Sequence, residues 1–209
     1  STYRQHDVKS YTSDRIPGEA LTVGRVAVDF VDEPQPSDQV DIALHSRDGA
    51  LVSTTGQLAW HTGESKESGF ITINTPGTKG AVGFLPDREL DLSQVQIRSR
   101  TPFAAIYLTA LEQGGDIATS KQILVTAIAR ARNTGMKFNE AGDELLEFGK
   151  APVLMEPVVA DITIRRKGQP TVVLLDHEGC PTSKTLAILD GVVSIDGKRD
   201  RTMYYLISY

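Results

Sequence analysis

Apolar and polar residues alternate at a spacing of two along most of this chain, and that period predicts strands. In the first half the pattern runs through GRVAVDFV (24–31), VDIALHS (40–46), GQLAWH (56–61), GFITINT (69–75) and GAVGFL (80–85). It continues through VQIRSR (95–100), FAAIYLTAL (103–111), VVADITIRR (158–166), TVVLLD (171–176), TLAILD (185–190), GVVSID (191–196) and TMYYLIS (202–208). Gly, Pro, Asn and Asp punctuate these segments. The spacing suits an all-β fold: an antiparallel β-sandwich, jelly-roll or immunoglobulin-like, built as one sandwich or as two packed together. In the last segment Tyr204 and Tyr205 must face opposite sides of the sheet, which puts one of them in the core.

One stretch admits two readings. In KQILVTAIARARN, Ile123, Val125, Ala127 and Ala129 form one face of a strand, whereas Leu124, Ala127, Ile128 and Ala131 share a helical face. β-branched residues crowd its first half, so a strand is expected. NTGMKFNEAGDELLEFGKAP then breaks the β pattern, with at most a helical turn near 140–147. A connection this long is of the kind that carries function or covers a sheet edge. DEPQPSD (32–38) and EFGKAPVLMEPVVAD (147–161) each hold two prolines and read as surface crossings. The expected organisation is a β-sandwich domain over 1–150 and a smaller C-terminal sandwich portion over 151–209 packed on it.

Composition narrows the function classes. With 209 residues, 40% hydrophobic and 23% charged, the chain can bury a core. Its net charge is −5 and the densest basic run, Arg165-Arg166-Lys167, reads as a solvated hairpin end, so nucleic acid is not an expected partner. No run approaches the roughly 18 apolar residues of a membrane span, and a membrane is not expected either. Cys180 is the single cysteine, and His6, His45, His61 and His177 are scattered, which removes an intrachain disulfide and any zinc-ligand spacing. Asp29, Asp32, Asp38 and Asp41 lack the dense spacing of a calcium loop; a structural calcium ion is the one cofactor for which they leave room.

Candidate chemistry centres on the few aromatic residues. Trp60 closes a hairpin strand, where its indole can seal the sandwich or offer a face to a sugar ring, with His61 and Glu64 placed to hydrogen-bond hydroxyls. Together with Tyr107 they form the expected carbohydrate-binding set; no catalytic or metal-binding residue is assigned. Catalysis would need an assembly that the sequence does not specify. A lyase could use Tyr107 or His61 as base beside Arg98 or Arg100, and paired carboxylates among Glu140, Asp143, Glu144, Glu147 and Glu156 could cleave a glycoside. His177 lies three residues from Cys180, without the context of an activated nucleophile.

Several phrases together resemble a known class of domain. TGQLAW (55–60), ITINTPGTKGAVGF (71–84), FAAIYLTAL followed by SKQILVTAIARARNTGM (103–136), GKAPVLMEPV (149–158), VVLLDHEG (172–179) and TMYYLIS are similar to a β-sandwich region in bacterial glycoside hydrolases of the β-galactosidase and cellulase-like type. That region is non-catalytic and follows the catalytic barrel. The resemblance covers the chain from about Thr54 onward and leaves residues 1 to about 50 outside. It implies an accessory domain, carbohydrate-binding-module-like, of a polysaccharide-degrading enzyme. Its partners would be a polysaccharide or oligosaccharide and the catalytic domain of the same polypeptide, outside the cell or in the periplasm. Free-standing lyase or hydrolase activity and a protein-interaction sandwich are the alternatives.

Overall fold

A computed structural model describes residues 17–29, 31–33, 35, 36, 40–65, 67–85, 87 and 89–209. A short helix α1 (Gly18–Val23) and a 3-10 turn (Ile42–His45) come first, followed by β1 (Ser46–Arg47), β2 (Ala50–Val52), β3 (Leu58–His61), β4 (Phe70–Asn74) and β5 (Thr78–Phe84). Next are β6 (Leu90–Leu92), β7 (Val95–Ser99), β8 (Phe103–Ala110), β9 (Gln122–Ile128), β10 (Ala131–Thr134), β11 (Lys137–Phe138), β12 (Leu145–Glu147) and β13 (Lys150–Met155). The chain closes with β14 (Val159–Ile164), β15 (Thr171–Leu175), β16 (Pro181–Leu186), β17 (Ile188–Leu189), β18 (Val192–Asp196), α2 (Gly197–Asp200) and β19 (Tyr204–Ser208).

The fold is an all-β antiparallel sandwich. Ten strands form one sheet in the order β1-β2-β3-β4-β5-β8-β9-β19-β15-β16, and five form the second, β17-β18-β14-β7-β6. One hydrophobic core joins them: Ile106, Val125, Tyr205 and Ile207 from the large sheet meet Ile97, Ile162 and Ile195 from the small one. Strands from either side of position 150 are neighbours in both sheets, β19 beside β9 and β14 beside β7. The boundary expected at 150 therefore runs between hydrogen-bonded partners.

Period-2 burial explains most strands. In β8 Ala104, Ile106 and Leu108 are buried while Phe103, Ala105 and Tyr107 are half-buried, and β9 alternates in the same way. The stretch that could have been a helix is thus a strand: Ile123 and Val125 sit fully buried in register with Ile207 and Tyr205. As the alternation requires, Tyr205 is core and Tyr204 is not.

Several expectations fail locally. Positions 24–29 form no strand and are largely exposed, and Phe30 lies outside the described residues. At 40–46 the Asp41 carboxylate accepts from the Ala43 N–H and starts a 3-10 turn, so the apolar residues there serve a turn. No helical turn occupies 140–147. The Asn139 amide oxygen accepts from the Asp143 and Glu144 N–H groups, and Leu145–Glu147 then pairs with Lys137–Phe138. The basic triplet is solvated at Arg165 and Lys167 but ends no hairpin, because β14 and β15 lie in different sheets: Arg165 forks onto Asp91, and Arg166 lies 3.8 Å over the Tyr209 ring while donating to the carbonyls of Ile117 and Ser120.

Candidate contact surface

The register of the large sheet fixes which side chains share its outer side, the side turned away from the small sheet. Directly paired residues share a face, so one row runs Leu58–Ile73–Gly80–Tyr107–Thr126–Tyr204 across six strands. The next row carries Trp60, Ile71, Val82, Ala105 and Ile128. Phe84 and Phe103 extend the face beyond it, their rings edge-to-face with centroids 5.1 Å apart. At the other end stand Leu124, Leu206 and Val173.

This face contains no Asp, Glu, Lys, Arg or His from β4 through β15. Its polar members are hydroxyls and one amide: Thr78, Thr109, Gln122, Thr126, Thr171, Ser208 and the phenols. Its large side chains are half-buried, shielded by one another. Tyr107 is held flat: a Cβ on Gly80 would stand 2.8 Å from its ring, so the glycine leaves the space over which the ring lies.

The four residues expected to bind sugar do not converge. Trp60 and Tyr107 do share the outer face, three strands and one row apart. His61 follows Trp60 in the same strand and therefore points to the opposite side, where it stacks on Phe70 with centroids 4.3 Å apart and planes at 12°. Glu64 lies in the exposed turn beyond β3. The lyase set is also dispersed. Arg98 lies in β7 of the small sheet and Arg100 just beyond its end, on that sheet's own outer side, paired with Asp87 at 3.1 Å and with Asp161. Two layers thus separate them from Tyr107.

The remaining candidates are built into turns or pairs. Glu147 is held by Lys137 at 2.6 Å and Glu156 by Arg130 at 3.1 Å, while Glu140, Asp143 and Glu144 ring a loop tip. Asp176 accepts from the Glu178 and Cys180 N–H groups, which makes the His177–Cys180 run a hairpin turn with an exposed thiol. Among the described residues no three His, Cys, Asp or Glu side chains are grouped to hold a metal ion, and Asp38 is not one of those residues. No helix among them is long and apolar enough to cross a membrane.

Among the described residues two charged groups are buried inside the sandwich. Burial would raise the Asp200 carboxyl, but Arg199, the Asp196 N–H and the Tyr205 hydroxyl at 3.1 Å hold it below the ordinary carboxylate value. Burial, with Asp200 beside it, pushes the Tyr205 phenol up. Lys79, 5% exposed, donates to Asn74, and desolvation lowers its ammonium below the usual lysine value against a weaker pull from Asp116. A cavity of about 520 Å³ opens where the sheet edges β15–β16 and β17–β18 splay apart, floored by Ile164, Val172, Val193 and Ile207. None of the residues expected to bind sugar lines it.

No family model matches the chain, and neither a curated protein nor a solved structure matches it.

Proposed function

We propose that this chain is a non-catalytic accessory domain of a secreted or periplasmic polysaccharide-degrading glycoside hydrolase, and that it packs on the catalytic domain through the outer face of the large sheet. The resemblance described above supports the identity of the partner. The mode of contact rests on one observation, a face six strands wide without a charged side chain. Depletion of charge with retention of aromatic residues marks the core of protein interfaces. A sugar site needs hydrogen-bonding groups arrayed round an aromatic platform, and here aliphatic side chains and threonines fill the space between the rings.

A second reading has its own support: Trp60 and Tyr107 lie on the same side of one sheet, and the Tyr107 ring is laid flat. It makes the face a glycan platform. One experiment separates the two. The chain and the catalytic domain, produced as separate polypeptides, are expected to reassociate one-to-one on a sizing column, with no retardation of the chain in gels containing polysaccharide. A chain that stays free of the catalytic domain, but is retarded by a polysaccharide and released by Trp60→Ala and Tyr107→Ala, would overturn the packing proposal in favour of the glycan platform.

A further inference from the structure

At one side of the sandwich the strand pairs β15–β16 and β17–β18 diverge, and the cleft of about 520 Å³ lies between them. Its floor and wall come from the inner faces of both sheets. Val172 pairs with Leu186 and Ile207 in the large sheet, and Val193 pairs with Ile188 in the small one, so all five side chains point into the gap. Val172 and Ile207 are closed to water, whereas Leu186, Ile188 and the adjoining Pro170 are half-buried and form an open wall. That wall is aliphatic, and its volume is that of a small-molecule pocket.

The mouth has a different chemistry. Arg166 is the one charged residue among the described residues that line the cleft, in a chain of net charge −5. Its guanidinium lies over the Tyr209 ring and is fixed by the loop between β8 and β9: Nη1 donates to the Ile117 and Ser120 carbonyls and Nη2 to that of Thr119. All three acceptors are neutral. The Nε–H and one Nη2 hydrogen are left without a partner among the described residues. Nε and Nη2 make the side edge through which a guanidinium forks onto a carboxylate, as Arg199 does onto Asp200 in this same chain.

We infer that the cleft binds a monocarboxylate with a short alkyl tail, its head forked on Arg166 and its tail laid along Leu186 and Ile188. One fixed guanidinium matches one negative charge, and the lining offers no second cation for a phosphate or a dicarboxylate. The closed floor confines the tail to the wall, so a short chain fits. The inference does not rest on the packing proposal, because the cleft opens between sheet edges and not on the uncharged face.

The test titrates octanoate and octanol, which share a tail and differ in charge, into the chain labelled at its methyl groups. Octanoate is expected to shift the methyl signals of Val172, Leu186, Ile188 and Val193, and to bind about tenfold more tightly than octanol. Arg166→Gln should abolish that preference, and Ile188→Trp, which fills the gap, should block both probes. Shifts that miss these methyls, or that are strongest at the exposed Leu146 and Leu154 between β9 and β14, overturn the site. Equal affinity for the two probes, or a preference that survives in Arg166→Gln, overturns the carboxylate receptor. The methyl map and the comparison of probes use the native chain, so a variant that folds poorly leaves the test intact.

Discussion

The two outer faces of the sandwich are built on opposite rules. On the small sheet Asp161 accepts from Arg100 and, at 2.7 Å, from Ser194, while Gln96, Arg98 and Thr163 stand beside it. Arg165 forks onto Asp91 at 2.8 and 3.1 Å, which holds that carboxyl below its ordinary value. The large sheet carries nothing of this kind from β4 to β15. Both sheets bury their inner faces in the same core, so the fold makes no demand on what lies outside. A charged outer face on the large sheet would fold equally well and keep the surface out of wrong associations. Under the packing proposal its uncharged composition serves contact rather than folding.

The sharpest way to break this comparison lies within β9, where adjacent residues face opposite sides. Val125→Lys puts an unpaired ammonium among fully buried neighbours and is expected to cost about 4 kcal/mol or more, enough to abolish cooperative unfolding in urea. Leu124→Lys, one residue earlier on the half-buried outer side, is expected to shift stability by about 1 kcal/mol or less. Equal losses would mean that the outer side is packed as tightly as the core.

A smaller effect is expected at Asp200, the carboxylate buried under the inner face of β19. Asp200→Asn weakens the bonds from Arg199 and Tyr205 and is expected to cost about 2 kcal/mol at neutral pH. Because folding depresses this carboxyl, its contribution is full above the unfolded value of about 3.8 and fades as pH falls through the lower folded one. Urea titrations in that acid range should show a shallower loss for the variant than for the native chain. The least effect is expected at Lys79. Its folded value lies below 10.5, so the unfolded state binds the proton more tightly and stability rises with pH in the alkaline window below 10.5. Lys79→Met should flatten that rise and leave neutral stability nearly unchanged.

Much of the sandwich was legible because alternation and burial share a period. Ile123 and Val125 could be placed in a strand before any partner was known, since β-branched residues at that spacing fit a pleat. Positions 24–29 and 40–45 carry the same alternation without forming strands. At 40–46 a local side-chain bond from Asp41 turns the chain, which periodicity cannot register. The β1–β2 hairpin does carry a local signal: Asp48-Gly49, both at positive φ, is the dipeptide that tight hairpins favour.

The candidate site was legible only in fragments. Trp60 and His61 are adjacent in sequence, and adjacency in a strand puts them on opposite sides. The uncharged face could not be assembled from sequence, because a slip of one residue in any of its strands exchanges the two sides. Its trace was FAAIYLTA, whose residues are apolar or hydroxylated at both parities, the mark of a strand covered on both faces.

One pair of substitutions tests the central claim most directly, since it places the same change on each outer face: Thr126→Lys on the large sheet and Thr163→Lys on the small one. Under the packing proposal, small-angle scattering of the chain joined to its proposed catalytic partner should show an enlarged radius of gyration for Thr126→Lys and the native radius for Thr163→Lys. Native dimensions for both variants would contradict the assignment of the uncharged face to contact.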